Sequence, residues 1–144
     1  MRTATQIIAA ALLLTGGMAL AEVEATNPTV IAWKALMKQN GAAAKVLGDM
    51  AAGKAAFDAT AAEAAKQKLI GDAEQIPVVL KTQAEDPASE AKADIWSNWD
   101  DFTAKAAALG KAASALDSSS LDGIKAGMAD VGAACKACHT AYKM

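Results

Sequence analysis

Apolar residues recur along this chain in steps of three and four, and four stretches keep that rhythm long enough to be helices. The first runs from about Pro28 to Ala52, with a stripe of Val30, Trp33, Met37, Ala44 and Leu47 and with Leu36 and Met50 beside it. Asn27 suits the N-cap and Pro28 the first helical position. Asn40-Gly41 usually marks a turn, but the apolar spacing keeps its phase on both sides, so the helix is read through it. The second runs from about Ala59 to Gln75, with Asp58 or Thr60 as cap; Ala62, Ala65, Leu69, Ala73 and Ile76 share a face, and Pro77 is expected to stop it. Residues 77–89 are the longest irregular stretch. The third runs from about Glu90 to Leu116 on Ile95, Trp99, Phe102, Ala106, Leu109, Ala113 and Leu116, with Trp96 widening the stripe. Asp117-Ser-Ser-Ser120 then breaks the chain, and Ser119 with Asp122 resembles a capping box for the fourth. That last stripe is Leu121, Ile124, Met128, Val131, Cys135, Cys138 and Tyr142.

The pattern predicts an all-α fold, an antiparallel up-down-up-down four-helix bundle. Composition agrees: alanine is abundant, prolines number only three, and β-branched alternation is nearly absent. Residues 1–21 change the picture at the N-terminus. Arg2 is followed by an apolar run from Ile7 to Leu14 and by Ala19-Leu20-Ala21, which reads as a secretory signal peptide cleaved after Ala21. The run is too short for a membrane anchor. The mature chain, 22–144, then forms one domain, exported to the periplasm. Removing Arg2 leaves 13 basic against 16 acidic residues, a net charge of −3. No long basic run remains, so nucleic acid is not an expected partner, and no mature segment is apolar enough to span a bilayer.

The candidate chemistry is concentrated in Cys135-Lys-Ala-Cys-His139, which holds both cysteines and the only histidine of the chain. On a helix, residues three and four apart share a face, so two thiols and one imidazole point the same way. A haem asks for that set. Two vinyl groups take the thiols as thioethers and the iron takes the imidazole, and C-x-x-C-H is the attachment signature. A thioredoxin-like pair would need an adjacent strand, and none is visible. A structural zinc site usually needs four ligands where only three soft ones exist. One covalently attached haem c on Cys135, Cys138 and His139 is therefore expected. The second axial position is open to a methionine, a small molecule, water or nothing. Met128 lies 11 residues from His139 on the same helix, roughly 16 Å along it. Met144 would have to double back around the ring, and Met50 lies too far along the first helix. Met37 is the only methionine at about the right height, because the first helix starts beside the end of the fourth.

With signal peptide, helix pattern and C-terminal haem motif in place, the chain resembles cytochrome c′, the class II c-type cytochromes. "VGAACKACHTAYK" and "IWSNWDDF" are both similar to the family pattern, and the resemblance covers the whole mature chain. It implies a distal residue on the first helix, which falls on Met37. "ALMKQNGAAAKVLGDMAAG" looks like the low-spin branch, in which a methionine binds the iron. The arginines that many members carry near the haem are replaced here by Trp33, with Lys34 beside it, and by Lys143. A lysine supplies charge without the two-pronged guanidinium.

A six-coordinate haem exchanges single electrons with little change of geometry and leaves no position for gases. The expected function is thus electron transfer with redox partner proteins, through His139 and Met37 as axial ligands. The alternative, implied by five-coordinate family members, is binding of nitric oxide or carbon monoxide. An enzyme such as a peroxidase is not expected, since the mature chain has no second histidine and no arginine to assist O–O cleavage. A homodimer through the first two helices, frequent in the family, is a further implication of the resemblance.

Overall fold

The computed structural model describes residues 23–144. The expected signal peptide lies outside the described residues. Five helices follow in order: α1 (Pro28–Ala51), α2 (Ala59–Val79), α3 (Asp94–Ser97), α4 (Trp99–Ala115) and α5 (Leu121–Tyr142). α1, α2, α4 and α5 form the bundle, and α3 is a single turn leading into α4. Neighbours around the bundle are α1–α2, α2–α4, α4–α5 and α5–α1. Among the described residues, the diagonal pairs do not bring any Cα atoms within 8 Å. The core is the set of stripes read from the sequence: Val30, Leu47, Leu69, Ala113, Leu116, Ile124 and Val131 are sealed from solvent.

Local chemistry explains the ends. Asn27 caps α1, its side chain accepting from the Thr29 N–H at 2.9 Å, and the helix runs unbroken through Asn40-Gly41. At its far end Gly53 takes φ +71, a left-handed conformation that glycine adopts without Cβ strain. The Gly53 and Lys54 N–H groups then close back onto the Met50 and Asp49 carbonyls at 3.0 and 2.8 Å, a Schellman stop.

Three expected boundaries are corrected. Pro77 does not end α2; it lies inside the last turn, and the helix continues to Val79. So close to the end few hydrogen bonds depend on its missing N–H, and Leu80 still closes onto the Ile76 carbonyl at 3.1 Å. The third helix does not start at Glu90 or run continuously. Residues 90–92 lie outside any helix, with Ala91 bridged to Lys143, and Asn98, at φ −124 and ψ 46, separates α3 from α4. Its side-chain amide donates to the Asp94 carbonyl at 3.1 Å, the local competition by which asparagine interrupts helices. The cap of α5 is Ser120, accepting from Gly123 N–H at 3.0 Å, and not Ser119, whose hydroxyl donates to Asp117 at 2.6 Å.

Asp86 ties the long α2–α3 connection to the entry of α1. One carboxylate oxygen accepts from the Thr26 and Asn27 N–H groups, both at 2.8 Å, and the other from Ala88 N–H at 2.8 Å. These bonds, led by the one from Asn27, hold its pKa down to about 2. A depressed carboxylate contributes stability above its unfolded pKa and loses it as pH falls through the folded one. Asp86→Asn is therefore expected to lower the melting temperature at neutral pH and to flatten the loss of stability between about pH 4 and pH 2. Thermal unfolding followed by circular dichroism across that range checks it.

Candidate haem site

α1, α4 and α5, with the last turn of α2, enclose one side-opening cavity of about 490 Å³, within the ~300–1,000 Å³ range of small-molecule sites. Each wall comes from one helical stripe. α1 contributes Trp33, Met37, Asn40 and Ala44, at steps of four, three and four. α5 contributes Cys135, Cys138, His139 and Tyr142. Phe102, Ala106 and Leu109 of α4 form the third wall, and Ile76, Leu80 and Ile95 close the interior. The charged lining consists of Lys34, Glu90, Lys105 and Lys143. All four residues singled out by sequence, Met37, Cys135, Cys138 and His139, thus line the same cavity, from α1 and α5.

The aromatic residues set the shape. Trp33 stacks obliquely on Trp96, centroids 5.8 Å apart, and the Trp96 indole N–H donates to the Leu80 carbonyl at 2.8 Å. Phe102 meets Tyr142 edge-on at 5.4 Å. The Tyr142 hydroxyl donates to Asp101, a bond that pushes the hydroxyl up to about 12 and lowers the aspartate. This contact pins the last turn of α5, and with it His139, to the start of α4. On α1 small residues leave room: a Cβ built at Gly41 would meet no atom within 4 Å. Asn40 is buried one turn past Met37. Its amide N–H donates to the Leu36 carbonyl at 3.3 Å, and among the described residues its Oδ1 has no partner.

The residues fit a covalently attached haem. Both cysteines are free and half-buried, and burial pushes both thiols up. His139 is pulled down, first by burial and then by Lys143, with Glu90 acting against them. The chain thus offers neutral thiols to the two vinyl groups and an imidazole with a free lone pair to the metal. Among the described residues no group of three or more His, Cys, Asp and Glu side chains is placed to hold a bare metal ion.

Several lining residues escaped the sequence reading as site residues. Phe102, Leu109 and Ile76 were recognised as core, and nothing in periodicity separates a core position from one facing a cofactor. The apolar period predicts a helix starting at about Glu90. Glu90 lies instead on an extended segment stitched to the end of α5: Ala91 bridges Lys143, the Lys92 N–H donates to the Tyr142 carbonyl at 3.0 Å, and the Met144 N–H donates to the Glu90 carbonyl at 2.8 Å.

The family model described as Cytochrome C′ matches residues 29–143. A cytochrome c-556 of Agrobacterium tumefaciens (strain II Chrys) is 37% identical over 112 residues, covering 76% of this chain and 91% of that protein. Among solved structures, cytochrome c′ from Rhodobacter Spheriodes superposes with a TM-score of 0.74 at 28% identity, over 81% of this chain and 95% of that one. A ferrous variant of cytochrome c′ from Alcaligenes xylosoxidans with bound NO superposes with a TM-score of 0.70 at 25% identity, over 81% and 94%.

Proposed function

The chain belongs to the cytochrome c′ family and carries covalent haem c, and on that premise we propose that it is a periplasmic one-electron carrier with His139 and Met37 as axial ligands. One observation carries the proposal: Met37 lines, from α1, the cavity that the haem motif lines from α5. The c-556 name of a relative spanning most of the chain supports the low-spin assignment.

Cys135 and Cys138 would hold the macrocycle by thioethers, while His139 and Met37 would bind the metal. When bound, the haem supplies the one-electron couple. The chain's residues do the rest. Phe102, Leu109, Ile76 and Leu80 keep water off the buried side, which favours the less charged, reduced state. The thioether of Met37 works in the same direction. Tyr142, anchored on Asp101, fixes the turn that bears His139, so geometry changes little when the electron arrives. Delivery to the periplasm rests on residues 1–21 acting as a signal peptide. No catalytic role is assigned, because the mature chain has neither a second histidine nor an arginine.

A second reading, gas binding, is favoured by the relative seen with bound NO and by the open space beside Gly41. Carbon monoxide added to the reduced protein separates the two. Electron transfer with Met37 bound predicts a visible spectrum that carbon monoxide does not move. A prompt shift of the main haem band would select the gas-binding reading.

A further inference from the structure

A metal-bound histidine generally donates its other ring N–H to a carboxylate, carbonyl or water, and that outer partner tunes how strongly the ring donates to the metal. In this chain the segment that follows His139 and the extended segment 90–92 run side by side. Besides the two backbone bonds described above, the Lys92 ammonium donates to the Thr140 and Ala141 carbonyls, both at 3.3 Å, while at the end of α5 the Lys143 N–H donates to the His139 carbonyl at 3.0 Å. This lacing delivers the Glu90 side chain to the wall that His139 lines. Its carboxylate pairs there with the Lys143 ammonium at 3.3 Å. Glu90, Lys143 and His139 thus line one and the same cavity.

We propose that Glu90 is a positioning residue for His139, its carboxylate accepting from the outward ring N–H directly or through one water, with Lys143 drawing charge off that carboxylate. The Glu90–Lys143 pair then sets the donor strength of the imidazole, and so the reduction potential. This rests on His139 being an axial ligand. The sign follows from charge. A carboxylate partner gives the ring more imidazolate character, which favours oxidised iron and stiffens the iron–histidine bond. Removing the carboxylate does the opposite, and removing Lys143 strengthens the carboxylate's hold.

Glu90→Gln is a mild test of folding, because the side chain is 57% exposed and the lacing uses the Glu90 backbone carbonyl rather than its carboxylate. Resonance Raman spectroscopy of the reduced haem protein in a Met37→Ala background reads the iron–histidine stretch. Its presence tests His139 ligation; its position tests Glu90. Adding Glu90→Gln is expected to move the band to lower frequency, and in the otherwise unchanged protein to raise the midpoint potential. Lys143→Met should lower that potential. At high salt, where exposed charges are screened, the Glu90→Gln shift should persist, since a hydrogen bond is not screened away. A band that is present but unmoved by Glu90→Gln, or a potential shift that disappears in salt, overturns the proposal while leaving the ligand assignment standing. A missing band overturns the ligand assignment itself.

Discussion

Replacing Met37 by alanine is expected to turn a low-spin protein indifferent to carbon monoxide into a high-spin one that binds it. Met37 is half-buried on the α1 wall, one turn from Trp33 and one from Asn40. Alanine keeps the helix, since it is the best helix former. The side chain is partly exposed, so the cost in stability falls below the ~2–5 kcal/mol of a fully buried Met→Ala change. What goes is the thioether. No other methionine in the described residues lines the cavity, so none takes its place. The midpoint potential should fall at the same time, because methionine ligation raises it. Visible spectroscopy with and without carbon monoxide, together with a potentiometric titration, checks both effects. A Met37→Ala protein that stays low-spin and ignores the gas would remove Met37 from the iron.

The second large effect is on attachment. Cys135→Ser combined with Cys138→Ser removes both thiols while leaving His139 and the apolar walls unchanged. Serine does not form the thioether, so the haem is expected to be lost from the protein under denaturing conditions, whereas the parent keeps it. Either single change should leave one covalent bond, with a red-shifted spectrum from the vinyl group left free. Haem staining of a denaturing gel and intact mass give the answer. The doubly substituted bundle should also unfold at lower temperature. A dissociable ligand stabilises only by mass action, and Phe102, Ile76 and Leu80 would face a wetted cavity whenever it leaves. Covalent haem surviving the double change would mean that the thiols of this motif are not the attachment points.

How much of this was legible before the structure depends on the kind of interaction. The α1 stripe carried straight through Asn40-Gly41 because packing of a whole face outweighs the turn preference of two residues; Trp33, Leu36, Ala43 and Leu47 are all buried across it. The chemistry of α5 was legible for the same reason, since spacing alone puts Cys135, Cys138 and His139 on one face. That Met37 lines the same cavity as the haem motif follows from helix rise and the antiparallel order. The misreadings share a different cause. Pro77, Asn98 and Ser120 are decided by single hydrogen bonds at helix ends, where several nearby residues could serve equally well. Glu90 was hidden most deeply. Its place comes from the pairing of residues 90–92 with 140–144, a contact between segments some fifty residues apart that leaves no local period.

The most direct test of the account is the near-infrared spectrum of the oxidised mature protein. Methionine bound opposite histidine gives a sulfur-to-iron charge-transfer band there. The account predicts that band in the native protein and its loss in Met37→Ala. A native protein without it, high-spin in both oxidation states, would contradict the His139–Met37 assignment and make the protein a gas binder instead.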